Sequence, residues 1–147
     1  MDTDAFKVLE YEKITNWLAD FASSMRGKER CRSVVPSGDY DEVLRLHAET
    51  REAVQILQVQ SPPFGGIYDL RTILKKASMG SVLEIEELRT VMSTMGGMRN
   101  VKYFFRDLTQ DVPLLKEMAR PIEILGTLER HLKDTINEHG NFREDAS

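Results

Sequence analysis

Apolar residues recur along this chain at spacings of three and four, the period of amphipathic helices rather than of strands. Ile14, Trp17, Leu18, Phe21, Ala22 and Met25 form the first stripe, with Gly27 expected to end that helix. A short helix is predicted over Lys28 to Val34, stopped by Pro36, because the residue before a proline avoids helical geometry. Asp39 is placed to cap the next helix, with Glu42 completing a capping-box-like pair. Val43, Leu46, Thr50, Ala53 and Leu57 follow as its stripe, running to about Val59, with Glu49, Arg51 and Glu52 turned to water or to other polar groups.

Ser61-Pro62-Pro63 breaks the pattern, and Gly65-Gly66 permits a sharp reversal. Phe64 and Ile67 are expected to tuck into the core on either side of that turn. Asp69 can cap a helix over Leu70 to Ser78, which carries Leu70, Ile73, Leu74 and Ala77 on one side and stops at Gly80. Ile85, Leu88, Met92 and Met95 begin a long stripe that resumes as Met98, Val101 and Phe105. Glu84, Glu86 and Glu87 crowd its first turn, where the helix dipole favours negative charge. Gly96-Gly97 interrupts it, each glycine costing about 1 kcal/mol relative to alanine in a helix interior; a kink, a close helix crossing or a break is expected there. Pro113 and Pro121 bracket a segment from Leu114 to Arg120, and Leu125, Leu128, Leu132 and Ile136 mark a last helix. His139-Gly140-Asn141, between Ile136 and Phe142, can start a short hairpin at the C-terminal end. The expected fold class is all-α, an irregular multi-helix bundle over residues 1–147.

Composition narrows the class. At 147 residues one domain suffices, and such a chain can bury about two-thirds of its unfolded surface. With 41% apolar and 30% charged residues it is too apolar for disorder, and its apolar runs are too short to cross a bilayer. The start Met1-Asp2-Thr3-Asp4 lacks the pattern of a secretory signal, and the second residue is not the glycine that myristoylation needs. A single cysteine, Cys31, forms no internal disulfide and is expected to be a half-buried packing residue in a reducing cytoplasm. A net charge of −4 argues against general electrostatic binding of nucleic acid, while leaving room for a local basic patch.

Candidate chemistry is sparse. Phe64-Gly65-Gly66 lacks the lysine of a phosphate loop, and Asp69 would repel an anion at the following helix start. His131, Asp134, Glu138 and His139 cluster in sequence without the spacing of a zinc helix. Met92, Met95 and Met98 are read as core filler before an adaptable binding face. No catalytic, cofactor-binding or metal-ligating residue is assigned. Arg99, Lys102 and Arg106 repeat at three and four and line one helix face, so a phosphate backbone could lie along them.

Several stretches, in order, resemble the amino-terminal region of the bacterial MutS-II family, the MutS-like ATPases without mismatch-reading domains. They are Leu9-Glu10-Tyr11 with Ile14; Ala22-Ser23-Ser24 followed by Gly27-Lys28-Glu29; and the connector Pro63 to Arg71. Gly80-Ser81-Val82-Leu83 ahead of Glu87-Leu88, Pro113-Leu114-Leu115, Gly140 and Asp145-Ala146-Ser147 continue the match. The resemblance implies a fragment of the helical core, or lever, domain, ending before the clamp. It implies a full-length homodimeric protein that binds ATP and Mg, carries a Smr endonuclease module, and acts on branched DNA or a stalled ribosome. Suppression of homologous recombination and rRNA-binding ribosome rescue are the associated roles. The ATPase and nuclease motifs have no counterpart here, so the resemblance transfers no functional residue. A free-standing helical protein–protein interaction module is the alternative, and a small helical enzyme a third reading.

Overall fold

A computed structural model describes residues 8–135. Among these residues the secondary structure is wholly helical, as the periodicity predicts: α1 (Tyr11–Asp20), α2 (Met25–Arg32), α3 (Tyr40–Leu57), α4 (Arg71–Ser78), α5 (Ile85–Asp107), α6 (Pro113–Ala119) and α7 (Gly126–Thr135). None of them is long and apolar enough to cross a membrane. The expected C-terminal hairpin falls outside the described residues, as do Glu138 and His139. The chain divides into two compact units, with the division after Arg45, inside α3.

In the first unit α1 packs on α2. The first helix ends at Asp20, not at Gly27. Ser24 intervenes as the N-cap of α2, its hydroxyl accepting from the Gly27 amide at 3.1 Å, so Gly27 lies within the first turn of that helix. Arg32 donates to the Asn16 amide oxygen at 3.2 Å and ties the two helices together. Thr15 and Ala19 are the buried residues of α1. Ile14, Trp17, Leu18 and Phe21, the stripe seen in sequence, are instead exposed, Trp17 by 69% and Phe21 by 87%.

Capping at the start of α3 follows the sequence. The Asp39 carboxylate accepts from the amides of Asp41 and Glu42 at 2.9 and 3.0 Å. Glu42 does not close a capping box; it accepts from the Ser37 hydroxyl, and that same hydroxyl accepts from the Asp39 amide.

The second unit holds the core: Ile56, Val101, Phe105, Leu108, Val112 and Ala119, with Ile67, Phe104, Leu115 and Ile122 packed against it. The inward residues of α3 are Glu52 and Ile56, whereas Leu46 and Leu57 of the expected stripe are exposed. Burial at 52 works because the Glu52 carboxylate accepts from the amides of Leu114 and Leu115, at 3.2 and 2.9 Å. Those amides open α6 and have no partner within their own helix.

Gly96-Gly97 does not break the long helix, which runs from Ile85 to Asp107. The close crossing is the outcome, and its partner is the connector. A Cβ on Gly97 would lie 2.8 Å from Ile67 Cγ1 and 3.0 Å from the Gly65 carbonyl oxygen. The connector is further held by hydrogen bonds from the Ser93 hydroxyl to the Gly66 carbonyl and from the Tyr68 amide to the Thr94 hydroxyl, both 3.1 Å. Gly66 has φ +75°, the left-handed geometry that suits glycine. Ile67 packs on the core, but Phe64, expected there, is 43% exposed. A full capping box starts α5 between Glu84 and Glu87, and Lys76 of α4 pairs with Glu87 at 2.7 Å.

Candidate nucleic-acid interface

The three cations singled out in sequence lie on α5, and the fold gives each a different neighbour. Arg99 is turned to α7, where its guanidinium pairs with the buried Glu129 carboxylate. Lys133 reaches the same carboxylate at 3.0 Å. Arg99, and then Lys133, hold the Glu129 carboxyl below its ordinary value, and Glu129 raises that of Arg99. Arg99 therefore serves as a clamp between two helices.

Lys102 and Arg106 face another way, toward α6. The Lys102 ammonium donates to the carbonyls of Ile122 and Arg120, closing the end of α6. Arg106 donates from Nε to Asp107 at 2.6 Å, and its guanidinium carbon sits 4.4 Å from the centre of the Tyr103 ring. Asp107 is held below its ordinary carboxylate value by that contact.

Opposite them stand Lys116 of α6 and Arg120, the residue that caps its C-terminal end. Lys116 donates to the Leu108 carbonyl at 2.9 Å, and Arg120 pairs with Glu117 at 3.3 Å. Lys102, Arg106, Lys116 and Arg120 line one cavity of about 530 Å³, with Phe105 and Pro113 among its walls. The hydrogen bonds of the two lysines end on uncharged carbonyls, so they orient the ammonium groups without neutralising them. Two of the three sequence candidates are thus brought together, and Arg99 is set apart. Lys116 and Arg120 were missed in sequence, although they repeat the i, i+4 spacing of Lys102 and Arg106 on the segment that Pro113 opens.

The remaining candidates contribute no further chemistry. The connector does not fit a nucleotide phosphate: the Asp69 carboxylate sits at the start of α4 and accepts from the Arg71 amide at 3.0 Å, while the glycines are committed to contact with α5. Cys31 is partly buried on α2. His131 is exposed on α7. Met92, Met95 and Met98 are partly buried along α5.

No protein-family model matches the chain. Individual proteins do. The chain is 37% identical over 146 residues to endonuclease MutS2 of Halalkalibacterium halodurans, a match covering 96% of this chain and 19% of that protein. It is 34% identical over 145 residues to endonuclease MutS2 of Bacillus cereus, covering 96% of this chain and 18% of the relative. Endonuclease MutS2 of Bacillus anthracis matches at 33% over 145 residues. The chain thus spans about one fifth of the length of the curated relatives it matches.

Proposed function

We propose that this chain is a non-catalytic structural segment, a core or lever element, of a MutS2-type protein. The observation that carries the reading is similarity to endonuclease MutS2 along 96% of the chain. The packing supports it. The buried polar side chains Glu52, Thr94 and Glu129 each bind a neighbouring helix or the connector, so their chemistry is spent on joining elements. Helices tied in this way move as rigid bodies between discrete packings, which suits transmission of motion. In the same reading the whole protein is a homodimeric ATPase and endonuclease using ATP and Mg, acting on branched DNA or on stalled ribosomes in the cytoplasm.

The test is a chimera in which this chain replaces the matching stretch of the Halalkalibacterium halodurans protein. Retained endonuclease activity is expected, and a folded but inactive chimera overturns the reading. The isolated chain is expected to turn over neither ATP nor DNA; specific turnover would remove the word non-catalytic.

A second reading, a free-standing helical module for protein–protein interaction, is favoured by one observation. Ile14, Trp17 and Leu18 of α1, with Phe21 just beyond it, present an exposed apolar side. It predicts a stable protein complex formed without nucleotide, and an inactive chimera.

A further inference from the structure

We propose that the groove between α5 and α6 binds a single nucleic-acid strand by its sugar–phosphate backbone, through Lys102, Arg106, Lys116 and Arg120. The inference rests on reading the chain as part of a nucleic-acid-handling protein, and it says where this segment makes contact.

Charge is the first ground. The chain is acidic as a whole, at −4, yet four cations converge on one cavity. The carboxylates beside them are Glu117, paired with Arg120, and Asp107, paired with Arg106. The hydrogen bonds of the two lysines end on backbone carbonyls, not on carboxylates.

Spacing is the second. Lys102 and Arg106 are an i, i+4 pair on α5, a rise of about 6 Å, and Lys116 with the C-cap residue Arg120 repeats that spacing on α6. Two cations are thus offered in sequence along each wall of the groove, as a strand that carries one phosphate per nucleotide requires. The third ground is the Arg106 guanidinium, whose carbon lies over the Tyr103 ring, 4.4 Å from its centre, and brings a planar cation and an aromatic ring together at the groove. Bases stack on such guanidinium planes, whereas an acidic peptide has no ring to place there.

The experiment is fluorescence anisotropy of a labelled oligothymidylate with the 147-residue chain, over a salt series beginning at low ionic strength. The wild type is expected to bind with log K falling linearly in log salt. The double variant Arg106→Gln/Arg120→Gln is expected to weaken binding and flatten the slope by about 1.4, at about 0.7 per lost phosphate contact. Both arginine side chains are more than half exposed, so circular dichroism should show the helices intact. Arg89→Gln, about 25 Å from Arg106 along the same helix, should bind as wild type.

Unchanged binding by the double variant would place the strand elsewhere and overturn the groove while leaving the nucleic-acid reading intact. No binding at low salt also overturns it. So does tighter binding of an acidic peptide such as polyglutamate, which would make the groove a protein-docking site. Failure of the broader reading shows separately, as the inactive chimera.

Discussion

The Gly65 carbonyl oxygen lies 3.0 Å from the point where a Cβ on Gly97 would sit, so the long helix α5 meets the connector backbone to backbone. Ile67 Cγ1 is closer still, at 2.8 Å. Gly96, one residue earlier, has nothing nearer than an Arg99 guanidinium nitrogen at 3.9 Å. The two glycines differ in purpose, and they should respond oppositely to the same substitution.

Gly97→Ala is expected to lower stability by about 1–3 kcal/mol, because crowding against backbone and Ile67 outweighs the gain in helix propensity. Gly96→Ala should raise stability by up to about 1 kcal/mol, the propensity gain alone. Urea denaturation of both variants decides it. Equal shifts would mean that close approach is not what Gly97 provides.

Glu52 supplies α6 with acceptors that a helix start lacks. Glu52→Ala should cost about 1–3 kcal/mol, the range for losing hydrogen bonds to a charged, buried group. Glu52→Gln, which keeps one acceptor oxygen, should cost less. Hydrogen exchange at the Leu114 and Leu115 amides is the direct readout: both should lose protection in the alanine variant.

Acid should loosen the contact between α5 and α7. Glu129 has its carboxyl depressed from 4.5, first by Arg99 and then by Lys133. A depressed carboxyl contributes stability that is fully present above its unfolded value and is lost as pH falls through the folded one. Thermal stability should therefore decline from about pH 4.5 downward, and Glu129→Gln should flatten that part of the profile. An unaltered acid limb in the variant would assign the loss to other carboxylates.

Trp17 is the chain's single tryptophan, and it is exposed. Its emission should be that of a hydrated indole and should be quenched readily by acrylamide. Trp17→Ser and Phe21→Ser, followed by circular dichroism, should each change stability by no more than about 0.5 kcal/mol. A blue-shifted, protected tryptophan would show that this side of α1 is covered in solution.

Much of the fold was legible because its signals are local. The Asp39 cap, the prolines around Leu114 to Arg120, the acidic first turn of α5 and the three-and-four spacing all act within a few residues. The stop at Gly27 was misread because Ser24 offers a nearer N-cap, and a glycine in a first turn is tolerated once that cap is made. The faces of α1 and α3 were misread for a different reason. Periodicity finds an apolar stripe but does not say what packs on it, so Trp17 and Leu57 read as inward, while Glu52 meets polar groups as expected but in a buried place.

The groove was half legible for the same reason. Lys102 and Arg106 share a face by helix geometry, but Arg99 leaves that group because α7 brings Glu129 to it. Lys116 and Arg120 join because α6 folds back against α5. Spacing along the chain shows the Lys116–Arg120 pair but not which helix it will face, nor that Glu129 will reach Arg99.

By itself, then, the sequence determined the helices, most of their ends and the turn at Gly65-Gly66, since backbone sterics and capping are settled between near neighbours. Only the tertiary structure decided that α5 meets the connector at Gly97, that Glu52 is an inward acceptor, and which cations stand together. Each of these depends on a group far along the chain arriving within hydrogen-bonding or van der Waals distance.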